Sequence, residues 1–245
     1  MKNGTPFPSR IYQFAILIFI GALAACIPIA LGINARYETL IILATSFLTV
    51  ILSTYLINKI KGQNLSDGCS FCLGRKEVKQ GFLIILSLIF LHIFILYPIK
   101  HLIFGFPKEF ACPKLIDLIS FIIIAALEEI VFRFILLNGL LNTYKPILAI
   151  LFTSVLFMLV HDPVMYIPSF IVGFTLGYIF YVTKNISICI ILHVLLNAFS
   201  SYWGRVTYFQ SSILCIILIS FGVVFLILLL YYYRHLLKNK YKTLL

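Results

Sequence analysis

Charged residues are scarce in this sequence of 245 residues: only 11% are Asp, Glu, Lys or Arg, and eight of those are acidic. About a quarter of the residues in an ordinary soluble domain are charged. The chain also lacks a polar region of domain size, because its longest polar stretch runs only from 59 to 80. It shows no internal repeat, and no alternating segments of the kind a membrane β-barrel needs. These deficits exclude a soluble enzyme or a soluble binding domain.

Apolar residues fill the chain instead and make up 62% of it. A run of about 20 such residues is long enough to cross a bilayer as a helix. Eight runs qualify: roughly 11–33, 39–58, 82–99, 116–140, 146–161, 166–183, 186–203 and 212–233. We therefore predict an all-α polytopic membrane protein, a single domain over 1–245 that forms a bundle of about eight transmembrane helices.

The start of the first run resembles a lipoprotein signal, because "LAAC" at 23–26 follows a basic and then an apolar stretch. A polar linker normally follows such a cleavage box, whereas this chain stays apolar to residue 33. A full span is more than a signal core requires. We predict an uncleaved first helix.

The net charge of +11 is distributed unevenly between the predicted loops. If the N-terminus is cytoplasmic, the inner segments carry thirteen lysines and arginines and the outer segments carry five. This asymmetry is typical of positive-inside topology. It predicts that both termini are cytoplasmic, in the plasma membrane of a bacterium. The excess of positive charge then orients the protein in the membrane and contacts the lipid bilayer. Nucleic acid is not an expected partner.

Cysteine usage points to no metal centre and no disulfide framework. Cys69 and Cys72 form a single C-x-x-C in a loop that we place inside, and Cys112 falls in an outer loop. No second C-x-x-C and no paired histidine accompanies them, so a closed zinc site is not supported. We expect a pair of reduced thiols.

Ionisable residues within spans are rare and usually mark a function or a buried pair. Glu129 and Arg133 are four residues apart, so they share a helix face and can form an ion pair. Glu128 is rotated by about 100° from its neighbour and is therefore left available. The ionisable residues that fall within the predicted spans and are candidates for a function are His92, Glu128, Glu129, Arg133, His161 and His193, with Asn197 as a neutral companion.

The histidines differ in their surroundings. His193 and Asn197 are four apart and project together from one helix, while His161 shares a face with Phe157 at a helix end. His92 has no polar neighbour at helical spacing, so we interpret it as a packed or lipid-edge side chain. Gly173 and Gly177 form a small-x-x-x-small pair that lets helices approach closely. We expect this pair to bring the histidine helices toward the glutamate helix.

The chemistry suited to this set is hydrolysis of an amide. No nucleophile is well placed, since neither Ser154 nor Ser187 lies in a G-x-S-x-G turn. A glutamate with a histidine can activate water as a general base, and a histidine with an asparagine can donate hydrogen bonds to an oxyanion. The same glutamate and two histidines could instead hold a catalytic zinc. The Glu129–Arg133 pair could also be purely structural, and His193 with Asn197 could simply bond neighbouring helices.

Three motifs now become recognisable: "EEIVFR" (128–133), "FMLVH" (157–161) and "HVLLN" (193–197). In order and spacing they resemble the E-E-x-x-x-R, F-x-x-x-H and H-x-x-x-N motifs of the CPBP family. These CAAX proteases and bacteriocin-processing enzymes are also called Abi or type II CAAX prenyl endopeptidase-like. The resemblance covers roughly 116–203, including the glycines that precede the last motif, and no motif position departs from the family pattern.

The resemblance implies an eight-helix intramembrane glutamic protease acting on a membrane-associated peptide or protein. In the prenyl-protein branch, cleavage is near the C-terminus, and bacterial relatives act on peptide pheromones or bacteriocins or serve as immunity proteins. Carried over to this sequence, the water would be activated by Glu128 and His161 and the oxyanion hole formed by His193 and Asn197. Glu129 and Arg133 would support the site. We expect no metal cofactor, with zinc at Glu128, His161 and His193 as the alternative.

Two other function classes compete with a protease. One is a non-enzymatic membrane protein, such as a bacteriocin immunity factor or a scaffold, that keeps the polar cluster for structure. The other is a proton-coupled transporter, because membrane carboxylates and histidines also relay protons. The presence of oxyanion-type donors beside a base favours the enzyme. Nor does the sequence contain the repeated halves with broken helices that many transporters have.

Overall fold

The computed structural model describes residues 5–32, 35–64, 69–72, 74–105, 115–206 and 212–242. Its chain divides into two compact units. Unit 1 comprises Met1–Leu83 and Cys112–Ala198, and unit 2 comprises Ile84–Ala111 and Phe199–Leu245, so the boundary falls within two helices.

Helices account for nearly all of the described residues, which confirms the all-α prediction. The described residues form eight continuous helical stretches, which we call rods, and two of these rods change to π-helical geometry in mid-course. We name these segments π1 (His92–Leu96) and π2 (Ile130–Leu137). The α-helical segments are α1 (Ile11–Ala30), α2 (Ala35–Ile60), α3 (Arg75–Leu91), α4 (Tyr97–Phe104), α5 (Leu115–Glu129), α6 (Asn138–Leu141), α7 (Pro146–Leu159), α8 (Tyr166–Thr183), α9 (Ile186–Val206) and α10 (Ser212–Lys242).

The length and composition of these helices fit a membrane protein. Within the described residues, four helical stretches are long and apolar enough to cross a bilayer: Ile11–Ala30, Leu40–Ile60, Ile84–Ile103 and Pro163–Thr183. The rod α5–π2–α6 is as long, but it contains the glutamate doublet and the arginine. Pro146 occupies the first turn of α7, where a missing backbone N–H costs nothing.

The N-terminal segment of unit 1 is hydrogen-bonded to the C-terminal end of α2. The buried Asn58 side chain makes two hydrogen bonds with the Phe7 backbone. Its Oδ1 accepts from the Phe7 N–H at 2.8 Å, and its Nδ2 donates to the Phe7 carbonyl at 2.6 Å. Gly139 of α6 lies directly against the Pro8 carbonyl, where no larger residue would fit. The chain start, the end of α2 and the end of α6 therefore lie together.

A short segment around the C-x-x-C pair crosses to the α8–α9 turn of the same unit. The Ser70 N–H donates to the Lys184 carbonyl at 2.7 Å, and the Ile186 N–H donates to the Ser70 carbonyl at 3.2 Å, which forms an isolated parallel bridge. The Phe71 ring packs 5.8 Å from the Phe134 ring of π2. This segment thus links the start of α9 to the C-terminal half of the glutamate rod.

The turn itself depends on an unusual backbone conformation. Lys184 ends α8 in the left-handed region with a φ of 52°. Asn185 then donates from its Nδ2 to the Cys72 carbonyl at 2.6 Å, and its Oδ1 accepts from the Ile188 N–H at 3.3 Å, which caps the first turn of α9. One asparagine therefore both starts the helix that carries His193 and secures the cysteine segment.

In unit 2, α10 packs against the rod that contains π1. Gly222 lies so close to this rod that an added Cβ would be 2.9 Å from the Phe94 Cβ. Phe90 completes the contact with ring centroids 4.4 Å from Phe225 and 4.6 Å from Phe94. The core of this unit is aromatic.

Candidate active site

The glutamate doublet lies at the point where α5 changes into π2. Glu129 is the last residue of α5, and the wider π-helical turn begins at Ile130. Glu128, Glu129 and Arg133 are all buried, with 5%, 0% and 2% of their surfaces exposed. Single π-helical turns inside α-helices are rare and frequently mark functional sites. The feature was not predicted from the sequence.

Glu129 joins an arginine of its own rod to a histidine of another helix. Its Oε1 lies 2.9 Å from Arg133 Nη1 and 2.8 Å from His193 Nδ1. The ion pair predicted from the spacing of four is therefore confirmed. The contact with His193 is 64 residues away in sequence and could not have been read from helical periodicity.

Glu128 faces the other side of the same imidazole. Its Oε2 lies 3.5 Å from His193 Nε2, which is longer than the usual 2.7–3.2 Å hydrogen bond. The separation leaves this carboxylate without a hydrogen bond among the described residues, so it remains available as the spacing predicted. The rotation of about 100° around the helix nevertheless does not separate the two carboxylates, because both face the His193 ring.

A phenylalanine organises the charged and ring groups of the site. The Phe157 ring of α7 has the Arg133 guanidinium 4.6 Å from its centroid. The His161 and His193 ring centroids lie 4.7 Å and 5.7 Å away. A guanidinium over an aromatic face is attracted by the ring quadrupole. The Phe157 ring therefore contacts three of the motif side chains and helps to hold them in place.

His161 stands at the C-terminal end of α7 and is half-buried. Its Nδ1 lies 2.7 Å from the Phe157 carbonyl oxygen. A carbonyl can only accept, so Nδ1 must carry the proton. In the neutral ring this leaves Nε2 unprotonated and able to accept a proton. The hydrogen bond to its own helix thus fixes the tautomer.

The glycine pair of α8 brings α8 onto α7 and the glutamate rod. An added Cβ at Gly173 would lie 3.2 Å from the Phe157 ring and 3.3 Å from the Ser154 Cα, and one at Gly177 would lie 3.2 Å from Ile150. Arg133 Nη2 also donates to the Gly173 carbonyl at 3.3 Å. The close approach predicted from G-x-x-x-G is present for the His161 helix and the glutamate rod.

Asn197 lies one helical turn after His193 on α9 and is half-buried. Its amide makes no hydrogen bond with the residues that the structure describes. Its donor N–H groups are therefore not committed to a protein partner there. Glu129 Oε2 is likewise buried and accepts no hydrogen bond from the described residues. Buried polar atoms of this kind call for a water or a ligand in the functional state.

The remaining predicted residues lie apart from these contacts. His92 occupies π1 in unit 2, with its ring 6.1 Å from that of Tyr97 and 6.0 Å from that of Phe199. Cys69 and Cys72 are free thiols. Burial raises the pKa of the Cys69 thiol, and the nearby Lys184 charge partly opposes this. Cys112 lies outside the described residues, and so do both termini.

No three His, Cys, Asp or Glu side chains are grouped as metal ligands within the described ranges. Glu128, His161 and His193 therefore do not form such a set among the described residues. The expectation of a metal-free site stays a prediction.

The fold and the site together define the class of protein. The chain is an integral membrane protein whose interior holds two carboxylates, an arginine and two histidines on α5–π2, α7 and α9. Residues 112–199 match the family model of the type II CAAX prenyl endopeptidase Rce1-like proteins. This confirms the recognised resemblance for the segment that carries all three motifs. The match implies CAAX-type protease activity at the level of the family. No curated protein and no solved structure matched the chain.

Proposed function

We propose that this protein is an intramembrane endopeptidase that hydrolyses a peptide bond of a membrane-associated peptide or protein. The observation that carries the proposal is the position of His193 between two buried carboxylates, 2.8 Å from Glu129 and 3.5 Å from Glu128. This arrangement lies within the Rce1-like segment. A merely structural ion pair between Glu129 and Arg133 requires neither the second carboxylate nor either histidine.

In the proposed reaction, Glu128 is the general base. Its carboxylate takes a proton from a water molecule while the water oxygen attacks the carbonyl carbon of the scissile bond. His161 Nε2, unprotonated in the observed tautomer, accepts a hydrogen bond from the same water and orients it. The C–N bond then breaks, and Glu128 returns the proton to the leaving nitrogen. General-base assistance of this kind contributes about 10²- to 10⁴-fold in rate.

His193 and Asn197 are the proposed oxyanion donors. Both ring nitrogens of His193 face carboxylate oxygens, so an imidazolium would donate from both. The Nε2–H directed toward Glu128 and the uncommitted amide of Asn197 are the donors that the developing oxyanion needs.

Glu129 and Arg133 have a supporting role in this scheme. Glu129 fixes the orientation of His193, much as a carboxylate orients the histidine of other hydrolytic sites. Arg133 holds Glu129 on one side, while its second amino group reaches the Gly173 carbonyl. In this scheme these two residues keep His193 correctly positioned and do not touch the substrate.

The proposal is tested with purified protein in lipid nanodiscs. C-terminal peptides, with and without a prenyl group, are incubated with the enzyme, and the products are identified by mass spectrometry. We expect cleavage that strong chelators leave intact, together with no stoichiometric zinc by elemental analysis. Loss of cleavage with chelator, restored by zinc alone, would replace the water-activating pair by a His₂Glu zinc site. Absence of cleavage of every peptide would favour the non-enzymatic immunity or scaffold protein.

The orientation proposed with this function has both termini and the Cys69/Cys72 pair on the cytoplasmic side of a bacterial plasma membrane, from the charge asymmetry. A membrane-impermeant maleimide applied to intact cells should modify Cys112 and spare Cys69 and Cys72. Permeabilised cells provide the control, and Cys72 should react there before Cys69, whose thiol is half-buried with a raised pKa. Labelling of the pair in intact cells would reverse the orientation.

A further inference from the structure

A cavity of about 400 Å³ lies between the C-terminal half of α2 and π2, within unit 1 and apart from the Glu128–His193 contact. Its apolar wall includes Ile51, Ile130 and Phe134. Its other end is polar and includes Lys59, Gln63 and Asn64. Such a division fits a ligand with an apolar body and a polar end.

The length and level of the cavity match one leaflet of a bilayer. Ile51 and Lys59 are eight residues apart on α2, which corresponds to roughly 12 Å along the helix axis. Half of the hydrocarbon core of a bilayer is about 15 Å. Lys59 lies in the last turn of α2, and Tyr55 lies one turn before it with its ring 5.9 Å from the Lys59 ammonium. An exposed tyrosine and lysine at the end of a span are typical of the headgroup level.

The polar end offers one cation and one unsatisfied acceptor. Lys59 is exposed and forms no ion pair within the described residues, so its ammonium can pair with a phosphate. Gln63 Oε1 is buried and accepts no hydrogen bond from the residues that the structure describes. Two other amides line the cavity: Asn58 is already committed to Phe7 and Thr54, and Asn64 is exposed. The occupant should therefore carry an anion for the lysine and a hydrogen-bond donor for the glutamine.

We propose that this cavity is a binding site for a glycerophospholipid whose headgroup carries hydroxyl donors, such as phosphatidylglycerol. The phosphate pairs with Lys59, a headgroup hydroxyl donates to Gln63, and one acyl chain lies along Ile51, Ile130 and Phe134. The lipid then packs directly on the π-helical segment that begins after Glu129. The site does not depend on the proposed hydrolysis.

The experiment measures lipid retention by native mass spectrometry and thermal unfolding of the full chain in detergent with added lipid. Wild type should retain phosphatidylglycerol about fivefold over phosphatidylcholine, the ratio given by one lysine near an anionic surface. Lys59→Gln should lose this preference, and Lys59→Arg should keep it. Lys145→Gln removes an exposed lysine that does not line the cavity, so it is the matched control and should behave as wild type.

Two further measurements test the contributions of the headgroup hydroxyl and of the acyl chain separately. Gln63→Leu should bind phosphatidylglycerol no better than phosphatidic acid, which has no glycerol headgroup, whereas wild type should distinguish them. Soluble glycerol phosphate should give no thermal shift at the lipid concentrations used, because it lacks the acyl chain. The proposal is overturned if Lys59→Gln retains lipid as wild type does, if Lys145→Gln loses as much, or if soluble glycerol phosphate reproduces the shift.

Discussion

The rod α5–π2–α6 of unit 1 and the rod α3–π1–α4, whose π1 segment lies in unit 2, both contain a π-helical segment beside an ionisable residue. In the first rod, Glu129 has two close partners and its neighbour Glu128 faces the same histidine. In the second rod, His92 is packed among aromatic rings, and its Nε2 is buried without a hydrogen-bond partner among the described residues. A π-helical turn therefore does not make a site by itself. The first rod differs because its charged side chains meet a histidine of another helix.

The largest difference between the two rods should be the effect of a substitution on the rate of peptide cleavage. Glu128→Gln preserves shape and hydrogen-bonding capacity but removes the base, so we expect cleavage per folded molecule to fall by about 10²-fold or more. The matched change in the other rod, His92→Phe, keeps a packed ring and should leave cleavage unchanged. Turnover is measured on protein whose folded fraction is determined in parallel. Normal cleavage by Glu128→Gln would show that the cluster is structural.

The next effect is on stability. Glu129→Gln leaves Arg133 and His193 without their carboxylate in a site where all three are buried, and breaking such a pair from one side costs about 3–5 kcal/mol. We expect a lower midpoint of thermal unfolding and lower abundance in the membrane, with activity falling as a consequence.

A double variant distinguishes the stability lost with the Glu129–Arg133 ion pair from the stability lost through the substitution itself. Glu129→Gln combined with Arg133→Met removes both charges and should be less destabilised than the sum of the single variants. Simple additivity would mean that the 2.9 Å contact contributes no coupling energy. His92→Phe again provides the comparison in unit 2 and should change the midpoint little.

The smallest effect concerns the glycines that pack beside the two rods. An added Cβ in Gly173→Ala would lie 3.2–3.3 Å from Phe157 and Ser154, and one in Gly222→Ala would lie 2.9–3.0 Å from Phe94 and Ile95. We expect each to destabilise the protein by about 1–3 kcal/mol through overpacking. Only Gly173→Ala should also reduce cleavage per folded molecule, because Phe157 supports both histidines and the arginine. Equal losses of turnover in the two variants would remove Phe157 from its positioning role.

Much of this architecture could be read from local sequence. Continuous apolar runs predict helices in a membrane whatever their neighbours, because every backbone polar group must be satisfied within the segment. The pairing of Glu129 with Arg133 follows in the same way from a spacing of four on one helix, which fixes their common face. The resemblance to CAAX-type proteases likewise rests on three motifs in order, and the family match covers them.

Other features lie beyond any local pattern. Tyr55, Lys59 and Gln63 read as the polar end of a span, and only the packing of α2 against π2 turns them into one wall of a cavity. The left-handed Lys184 and the bridge to Ser70 join segments more than a hundred residues apart. Such contacts depend on how helices are assembled, and helical periodicity carries no information about the partner helix.

The sequence by itself determined the helices, their membrane character and the polar side chains that share a face, because these follow from helical geometry and the cost of burying charge. Only the tertiary structure decided that Glu128 and Glu129 meet at one imidazole, that Phe157 supports the cluster, and that His161 presents Nε2. The π-helical turn after Glu129 changes the angular spacing of the residues that follow. Close packing at Gly173 and Gly177 brings α7 and α8 onto the rod α5–π2–α6, and the contact of His193 with Glu129 links α9 to the same rod. These contacts set the distances on which the proposed chemistry depends.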